Sequence, residues 1–324
     1  MDKVLRIGSV GTSKIMGVMQ EAIRMTEGVE TTVIYSRDPE RGKAFAEKVG
    51  VKSWCSDYQE FVNREDVDIV YIASPNVCHK EQAIAAMEAG KHVIVEKPAS
   101  TTVANIREMG EAARKNNVFF FEAISTIFMP NFLALKELLP QLGRVGSAKV
   151  TYGRYSSQYD NYLSGKNPNI FNPAMEGGAL NDMGIYCIHT MLDLFGKPES
   201  ISCEAEYAEN GIDMMDVVRA KYPDLTCTLQ TAKDRNLECG TWLYCENGWF
   251  TQEGELHNFE NCKTEIMGLG LEVNQQGDEN RLIYELARFR DAIRTEDKMF
   301  FERMYHQSEN AAWVLEKAHN KGKK

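Results

Sequence analysis

Through its first 124 residues the chain alternates short β-branched runs with amphipathic stretches. That is the pattern of a parallel sheet covered by helices on both faces. Six strands are predicted, at 4–10, 29–35, 51–54, 67–74, 92–96 and 118–122. Helices are predicted between them, including 39–49 and 80–89, the second closed by Gly90 in the usual C-terminal position. Crossovers of this length suit right-handed βαβ units. From about Ser147 apolar and polar positions alternate in longer runs (148–155, 200–208, 216–222, 226–232 and 241–245), which implies an antiparallel or mixed sheet. One helix, 178–195, interrupts this half and stops at Gly196-Lys197-Pro198. Helices at 279–294 and 308–319 close the chain, and 320–324 are expected to fray.

The length of 324 residues exceeds what one core usually supports and favours two domains. A hydrophobic fraction of 43% and a charged fraction of 26% fit a soluble globular protein, with no apolar run long enough to cross a bilayer. No membrane association is expected. Met1 to Ile7 enters a strand pattern at once, without the apolar stretch of a secretory signal, so a cytoplasmic protein is expected. A net charge of −10 argues against a nucleic-acid partner. The eight cysteines include no Cys-x-x-Cys pair and no companion histidine spacing, so they read as reduced thiols and no metal is expected.

The first predicted strand runs into Gly8-Ser9-Val10-Gly11-Thr12-Ser13-Lys14-Ile15-Met16. A loop at such a strand-to-helix turn offers backbone N–H groups to a pyrophosphate. Gly11 fills the tight-turn position of the G-x-G-x-x-G/A pattern, whereas Ser13 replaces the second glycine and Met16 the small third residue. Gly11, Thr12, Ser13, Lys14 and Ile15 are the candidate contacts, and a plain strand-helix turn is the alternative. The second strand ends in Ile34-Tyr35-Ser36-Arg37 with no carboxylate at its tip. Ser36 and Arg37 suit a 2′-phosphate better than a free ribose hydroxyl, which favours NADP over NAD. The alternative is a solvated Arg37 paired with Asp38 or Glu40.

Two further loops lie at the carboxyl edge of the predicted sheet, Ser74-Pro75-Asn76-Val77-Cys78-His79 and Glu96-Lys97-Pro98. Pro98 biases Lys97 toward an extended conformation, and a partly desolvated lysine there is a usable proton donor or acceptor. In the second half, Asp182, Tyr186 and His189 follow Gly177-Gly178-Ala179 at i, i+4 and i+7. On a regular helix an acid, a phenol and an imidazole then share one face. That trio fits a catalytic group and a buried hydrogen-bonded cluster equally well.

With these motifs in order, the sequence resembles the glucose-fructose oxidoreductase and inositol dehydrogenase family (Gfo/Idh/MocA) along essentially its whole length. The stretch from Ser74-Pro75-Asn76 and His79 through Gly90-Lys91-His92 to Glu96-Lys97-Pro98 is highly specific. Tyr186 resembles the Tyr-containing, dihydrodiol dehydrogenase-like branch. The resemblance implies an α/β protein: an N-terminal Rossmann domain over 1–124 and a C-terminal α+β domain with a mostly antiparallel open sheet over 125–324. The second domain would serve substrate binding and oligomerisation, as a homodimer or homotetramer, with the closing helices free to pack back on the first. It also implies NADP- or NAD-dependent hydride transfer at a CH–OH or C=O carbon of a sugar-like or polyol substrate. Lys97 and Tyr186 would be the acid/base groups, with Asp182 and His189 orienting them or the substrate. Ser36, Arg37, Ser74, Pro75, Asn76, His79, Glu96 and Lys97 would join the phosphate loop in holding the cofactor. Segments 153–160 and 169–173 would line the pocket. Ile127 and Met129 stand where many relatives carry Arg and His, so the role of that loop is open. A ligand-sensing protein without turnover and a glycosidase using NAD are the competing functions.

Overall fold

The computed structural model describes residues 3–277 and 280–321. They form two compact units, one of residues 3–100, 104–123 and 280–309, the other of 101–103, 124–277 and 310–321.

The first unit contains β1 (Leu5–Val10), α1 (Lys14–Met25), β2 (Val29–Tyr35), α2 (Pro39–Val49), β3 (Ser53–Cys55), α3 (Tyr58–Val62), β4 (Ile69–Ile72), α4 (His79–Glu88), β5 (His92–Glu96), α5 (Val103–Lys115) and β6 (Phe120–Ala123). Its six strands are all parallel, in the order β3-β2-β1-β4-β5-β6. This is a doubly wound Rossmann sheet with its topological switch point between β1 and β4. Burial explains the composition. All four residues of β4 are buried, because a parallel sheet covered on both faces needs a continuous apolar run rather than alternation. Helix α4 ends as expected at Gly90 (φ 76°), where Gly90 N–H donates to Met87 O and Lys91 N–H to Ala86 O, a Schellman closure.

The second unit carries α6 (Pro130–Leu142), β7 (Val145–Gly153), α7 (Tyr159–Leu163), α8 (Ile185–Phe195), β8 (Ser200–Tyr207), β9 (Asp213–Lys221), β10 (Thr226–Ala232), β11 (Gly240–Cys245), β12 (Gly248–Glu253), β13 (Cys262–Ile266) and β14 (Leu269–Val273). They make one eight-stranded sheet, β14-β13-β12-β11-β7-β10-β9-β8, antiparallel except for the β7–β10 pair. Ala148, Val150, Tyr152, Leu229, Leu243 and Phe250 point into the core, and α8 packs on β7 and β10. Lys149 pairs with Trp242 and Ser147 with Tyr244 on the other face, where the Lys149 ammonium lies 5.0 Å from the Trp242 ring.

Three departures from the expected elements have physical causes. Strands β12 to β14 were not anticipated. The β13–β14 hairpin turns through Met267 and Gly268, both at positive φ (54° and 82°). A turn of that geometry usually announces itself as Asn-Gly, and a methionine conceals it. The helix expected over 178–195 is instead a π turn, Leu180–Gly184, followed by α8. The last helix is far longer than 308–319. After α9 (Leu282–Arg294), α10 runs over Lys298–Lys321, so Asn320 and Lys321 extend it rather than fray. The expectations for 322–324 and for a helix start at 279 lie outside the described residues. Phe300, Phe301, Met304 and Tyr305 anchor the early turns of α10 by burial, with Phe301 5.6 Å edge-on from Phe119. Phe289 of α9 stacks 4.7 Å from Phe121.

Candidate functional site

The first unit presents a site made mostly of backbone. Gly11 sits at φ +109°, and a Cβ there would lie 2.8 Å from Ala73 O, so the turn at the switch point requires glycine. Ser13 then caps α1 in extended conformation without a side-chain hydrogen bond, and the first turn of α1 holds no acidic residue. The helix therefore opens with N–H groups and a positive dipole end directed at an incoming anion. Met16, at the small-residue position of the pattern, is fully buried. At the tip of β2, the Ser36 hydroxyl accepts from Asp38 N–H, while the Asp38 carboxylate caps α2 by accepting from Arg41 N–H at 3.1 Å. Arg37 is exposed, and among the described residues it forms no ion pair with Asp38 or Glu40.

The loops after β4 and β5 are fastened together from beneath. The ring nitrogens of His79 each lie 2.9 Å from a carbonyl oxygen, Nδ1 from Pro98 and Nε2 from Ser74. Burial pushes the His79 pKa down, against the two carbonyls, which push it up. Tyr71 O–H donates to the Glu96 carboxylate, and burial pushes the Glu96 pKa up. Ala99 N–H donates to Glu122 at 2.9 Å. Ser74 Oγ lies 2.6 Å from Gln82 Oε1, and Asn76 opens a single 3₁₀ turn behind Pro75. The His79 and Glu96 side chains thus tie the two loops to each other and to β4. The half-buried Lys97 follows directly on β5, and its bond to Pro98 is cis.

The second unit presents a site made of side chains. Gly178 sits at φ +111°, and a Cβ there would collide with the Asp213 carboxylate 2.0 Å away. That carboxylate accepts from Leu180 N–H at 2.7 Å and fixes the start of the π turn. Single π turns mark sites where a regular helix has been widened to re-aim side chains. The shared face expected from i, i+4 and i+7 spacing is consequently interrupted between Asp182 and Tyr186. Asp182 leaves the turn to pair with the ammonium of Lys233, whose side chain is only 2% exposed. Tyr186 lies nearly buried, its ring 5.5 Å edge-on from Tyr152 and 6.0 Å from His257. His189, one turn further along α8, is fully buried.

Beside Tyr186 runs a chain of polar groups that the sequence did not disclose. Tyr152 Oη lies 2.5 Å from His257 Nδ1, and His257 Nε2 lies 2.7 Å from Glu255, whose carboxylate also meets Arg154. Burial above all, then Tyr186 and Glu255, push the Tyr152 pKa well above the usual phenol range. The loop carrying Glu255 and His257 is held by Ser125 Oγ, which donates to His257 O, and Thr126 Oγ1, which donates to Leu256 O. Ile127 and Met129, in the same segment, are buried in the core. Gly153, Arg154 and Tyr155 line a cavity of about 500 Å³. Tyr162, Asn172 and Pro173 line another of about 680 Å³. The only sequence signal for the chain of polar groups was an acid and an imidazole two residues apart in a loop.

Residues 5–123 match the family model described as an oxidoreductase family with an NAD-binding Rossmann fold, and 132–251 match the GFO/IDH/MocA C-terminal domain. The chain belongs to the Gfo/Idh/MocA family. Among its relatives, the scyllo-inositol 2-dehydrogenase (NADP(+)) IolU of Bacillus subtilis (strain 168) is 32% identical over 97% of this chain and 96% of that protein. The trans-1,2-dihydrobenzene-1,2-diol dehydrogenase of Bos taurus is 33% identical over 69% of this chain and 68% of that protein. A 3-ketoreductase from Actinomadura kijaniata, solved with NADP and TDP-benzene, shares the fold with a TM-score of 0.85 at 19% identity, covering 98% of this chain and 97% of that one. Like these relatives, the protein is an NAD(P)-dependent oxidoreductase acting at CH–OH or C=O groups. Among the described residues no helix is long and apolar enough to cross a membrane.

Proposed function

We propose that the protein oxidises or reduces one hydroxyl-bearing carbon of a cyclic polyol or sugar with NADP, using Lys97 and Tyr186 as its acid/base pair. The observation that carries this reading is the environment of Tyr186: a phenol just after a widened helical turn, beside the ion pair of Asp182 with the buried Lys233 and the Tyr152–His257 contact. A substrate with several hydroxyls needs donors and acceptors at fixed positions, and such a site rejects molecules that lack them. The scyllo-inositol dehydrogenase relative supports the substrate class.

The residues present suit a dinucleotide. The Gly11 cradle and the uncapped N-terminus of α1 would hold a pyrophosphate through Gly11, Thr12, Ser13, Lys14 and Ile15, with Ser74, Pro75 and Asn76 on the neighbouring loop. Ser36 and the exposed Arg37 would hold a 2′-phosphate. When bound, the nicotinamide supplies the hydride chemistry. The protein then has to move one proton at the substrate oxygen, and Tyr186 and Lys97 are the groups assigned to that step. Asp182 and His189 position Tyr186 and the substrate.

The face of the second sheet that bears Lys149, Trp242 and Tyr244 suits a homodimer or homotetramer contact, Tyr244 being 57% exposed. All eight cysteines are free thiols, which supports a reducing, cytoplasmic setting. The test is a fluorescence titration with NADPH and NADH, then an oxidation assay on scyllo-inositol, levoglucosan and trans-1,2-dihydrobenzene-1,2-diol. Tighter NADPH binding with turnover of a polyol is the expected outcome. Binding without turnover of any of them would overturn the reading.

A further inference from the structure

Resting on the reading of Tyr186 above, we infer that Tyr152, His257 and Glu255 form a proton relay that connects Tyr186 to solvent through the loop after β12. The Tyr186 ring packs edge-on at 5.5 Å from Tyr152, and from Tyr152 outward the contacts occur in the order a relay needs: phenol to imidazole Nδ1 at 2.5 Å, then imidazole Nε2 to carboxylate at 2.7 Å. A carboxylate only accepts, so Nε2 carries the hydrogen toward Glu255, and the neutral ring leaves Nδ1 as the acceptor for Tyr152 O–H. This is the logic of a catalytic triad with a phenol in place of the serine, the acid fixing the tautomer and stabilising the imidazolium. Burial holds Tyr152 as a protonated phenol, so it passes a proton on rather than storing a negative charge.

The groups that face the relay are consistent with this role. Tyr152 and Arg154 come from β7 and its end, Tyr186 from α8, Asp182 from the π turn and Cys239 from just before β11. The Asp182 charge is already met by Lys233, and the Glu255 charge is shared with the largely exposed Arg154, which marks the solvent end of the relay. The hydroxyls of Ser125 and Thr126 hold the loop in place. In the oxidation direction the carbinol C–H electron pair leaves as hydride in the family's NAD(P) chemistry, and the substrate O–H bond breaks. Its proton passes by way of Tyr186 to Tyr152, each phenol taking one proton and giving one. His257 becomes an imidazolium against Glu255 and releases the proton to water. Reduction runs the same path backwards. His257 and Glu255 are positioning residues, since both act through Tyr152.

The experiment compares the full-length wild type with His257→Asn, Glu255→Gln, Tyr152→Phe and Tyr186→Phe. It measures turnover of scyllo-inositol with NADP across the neutral pH range, NADPH affinity, and the His257 ring signals in ¹⁵N NMR of the wild type and Glu255→Gln. Asn keeps a polar atom near Nδ1 but does not titrate. Oxidation by the wild type should rise with pH as His257 loses its proton, and in His257→Asn that limb should vanish, with kcat roughly 10²-fold lower and NADPH affinity unchanged. In NMR, wild-type His257 should carry its hydrogen on Nε2 and should bind its second proton more weakly in Glu255→Gln. Wild-type kcat and pH profile in His257→Asn and Glu255→Gln, alongside a dead Tyr186→Phe, would overturn the relay and spare the role of Tyr186. An active Tyr186→Phe would overturn the role of Tyr186 itself. Should the wild type leave scyllo-inositol unoxidised, the NMR arm decides: an Nδ1-protonated ring indifferent to Glu255 overturns the relay.

Discussion

The two units build their polar sites from different materials. In the first, the decisive features are a glycine turn at Gly11, the open N-terminus of α1 and loops after β4 and β5 braced from below by His79 and Glu96. In the second, side chains converge from positions as far apart as Tyr152 and His257. Backbone recognition needs only that the chain turn correctly, so it tolerates Ser13 and Met16 at positions a stricter motif gives to small residues. Side-chain recognition needs each partner. Replacing one residue around the backbone-built Gly11 loop should therefore be graded, and replacing one side chain that carries the chemistry severe.

The sharpest break should come at Tyr186. Tyr186→Phe keeps the ring that packs on Tyr152 and removes only the hydroxyl, so kcat should fall by roughly 10² to 10⁴-fold with NADPH affinity intact. Steady-state kinetics alongside a fluorescence titration would check both halves of that statement. Lys97→Ala should behave alike if both residues serve one proton transfer, and unaffected turnover would remove Lys97 from the mechanism.

Next in size is the Asp182–Lys233 pair. Asp182→Ala leaves a 2% exposed ammonium without its carboxylate, which typically costs about 3–5 kcal/mol, whereas replacing a buried pair by well-packed apolar residues is often neutral. Thermal unfolding should therefore show a large loss for Asp182→Ala and a partial recovery for Asp182→Leu with Lys233→Met. Equal midpoints for the single variant and the wild type would mean that the ammonium has another counter-charge of equal strength.

These two regions also explain what the sequence did and did not disclose. The Rossmann strands were legible because β4 and β5 are buried on both faces and read as continuous apolar runs, and Pro39 and Gly90 mark helix ends by backbone chemistry alone. Lys97, Asp182 and Tyr186 stood out because they lie within motif-bearing loops and turns. Lys233 and His257 did not, because a residue at the end of a strand and another in a loop reveal a shared site only once β7, β10, β11 and β12 are side by side. The π turn was hidden for a related reason. It goes with close packing, Gly184 being so near Leu180 and Thr231 that a Cβ would lie 2.8 and 3.2 Å from them, and packing leaves no periodic trace.

Arg37 tests the graded side of the comparison. Arg37→Ala deletes one charge-assisted contact worth about 1.5–3 kcal/mol, so NADP affinity should fall roughly 10- to 100-fold while NAD affinity holds. Parallel losses for the two cofactors would mean that the phosphate is read elsewhere.

A stabilising effect should come from Asp216, behind the site, and its sign is specific. One buried oxygen of Asp216 faces no donor among the described residues, and burial together with Asp213 raises its pKa to about 9. A protonated Asp216 can donate to Asp213, which in turn holds Leu180 N–H and the start of the π turn. The folded value lies above the unfolded value of about 3.9, so the folded protein binds more protons throughout that interval. Its contribution is therefore fully present below the unfolded value and is lost as pH rises toward the folded one. Asparagine donates from its amide as the protonated acid does from its hydroxyl, but it does not titrate. The melting temperature of Asp216→Asn should therefore match the wild type at acidic pH and exceed it near pH 9, by roughly 2–4 °C for each kcal/mol relieved. Parallel melting curves across the pH range would mean that Asp216 is ionised in the fold, and that Asp213 holds the turn without it.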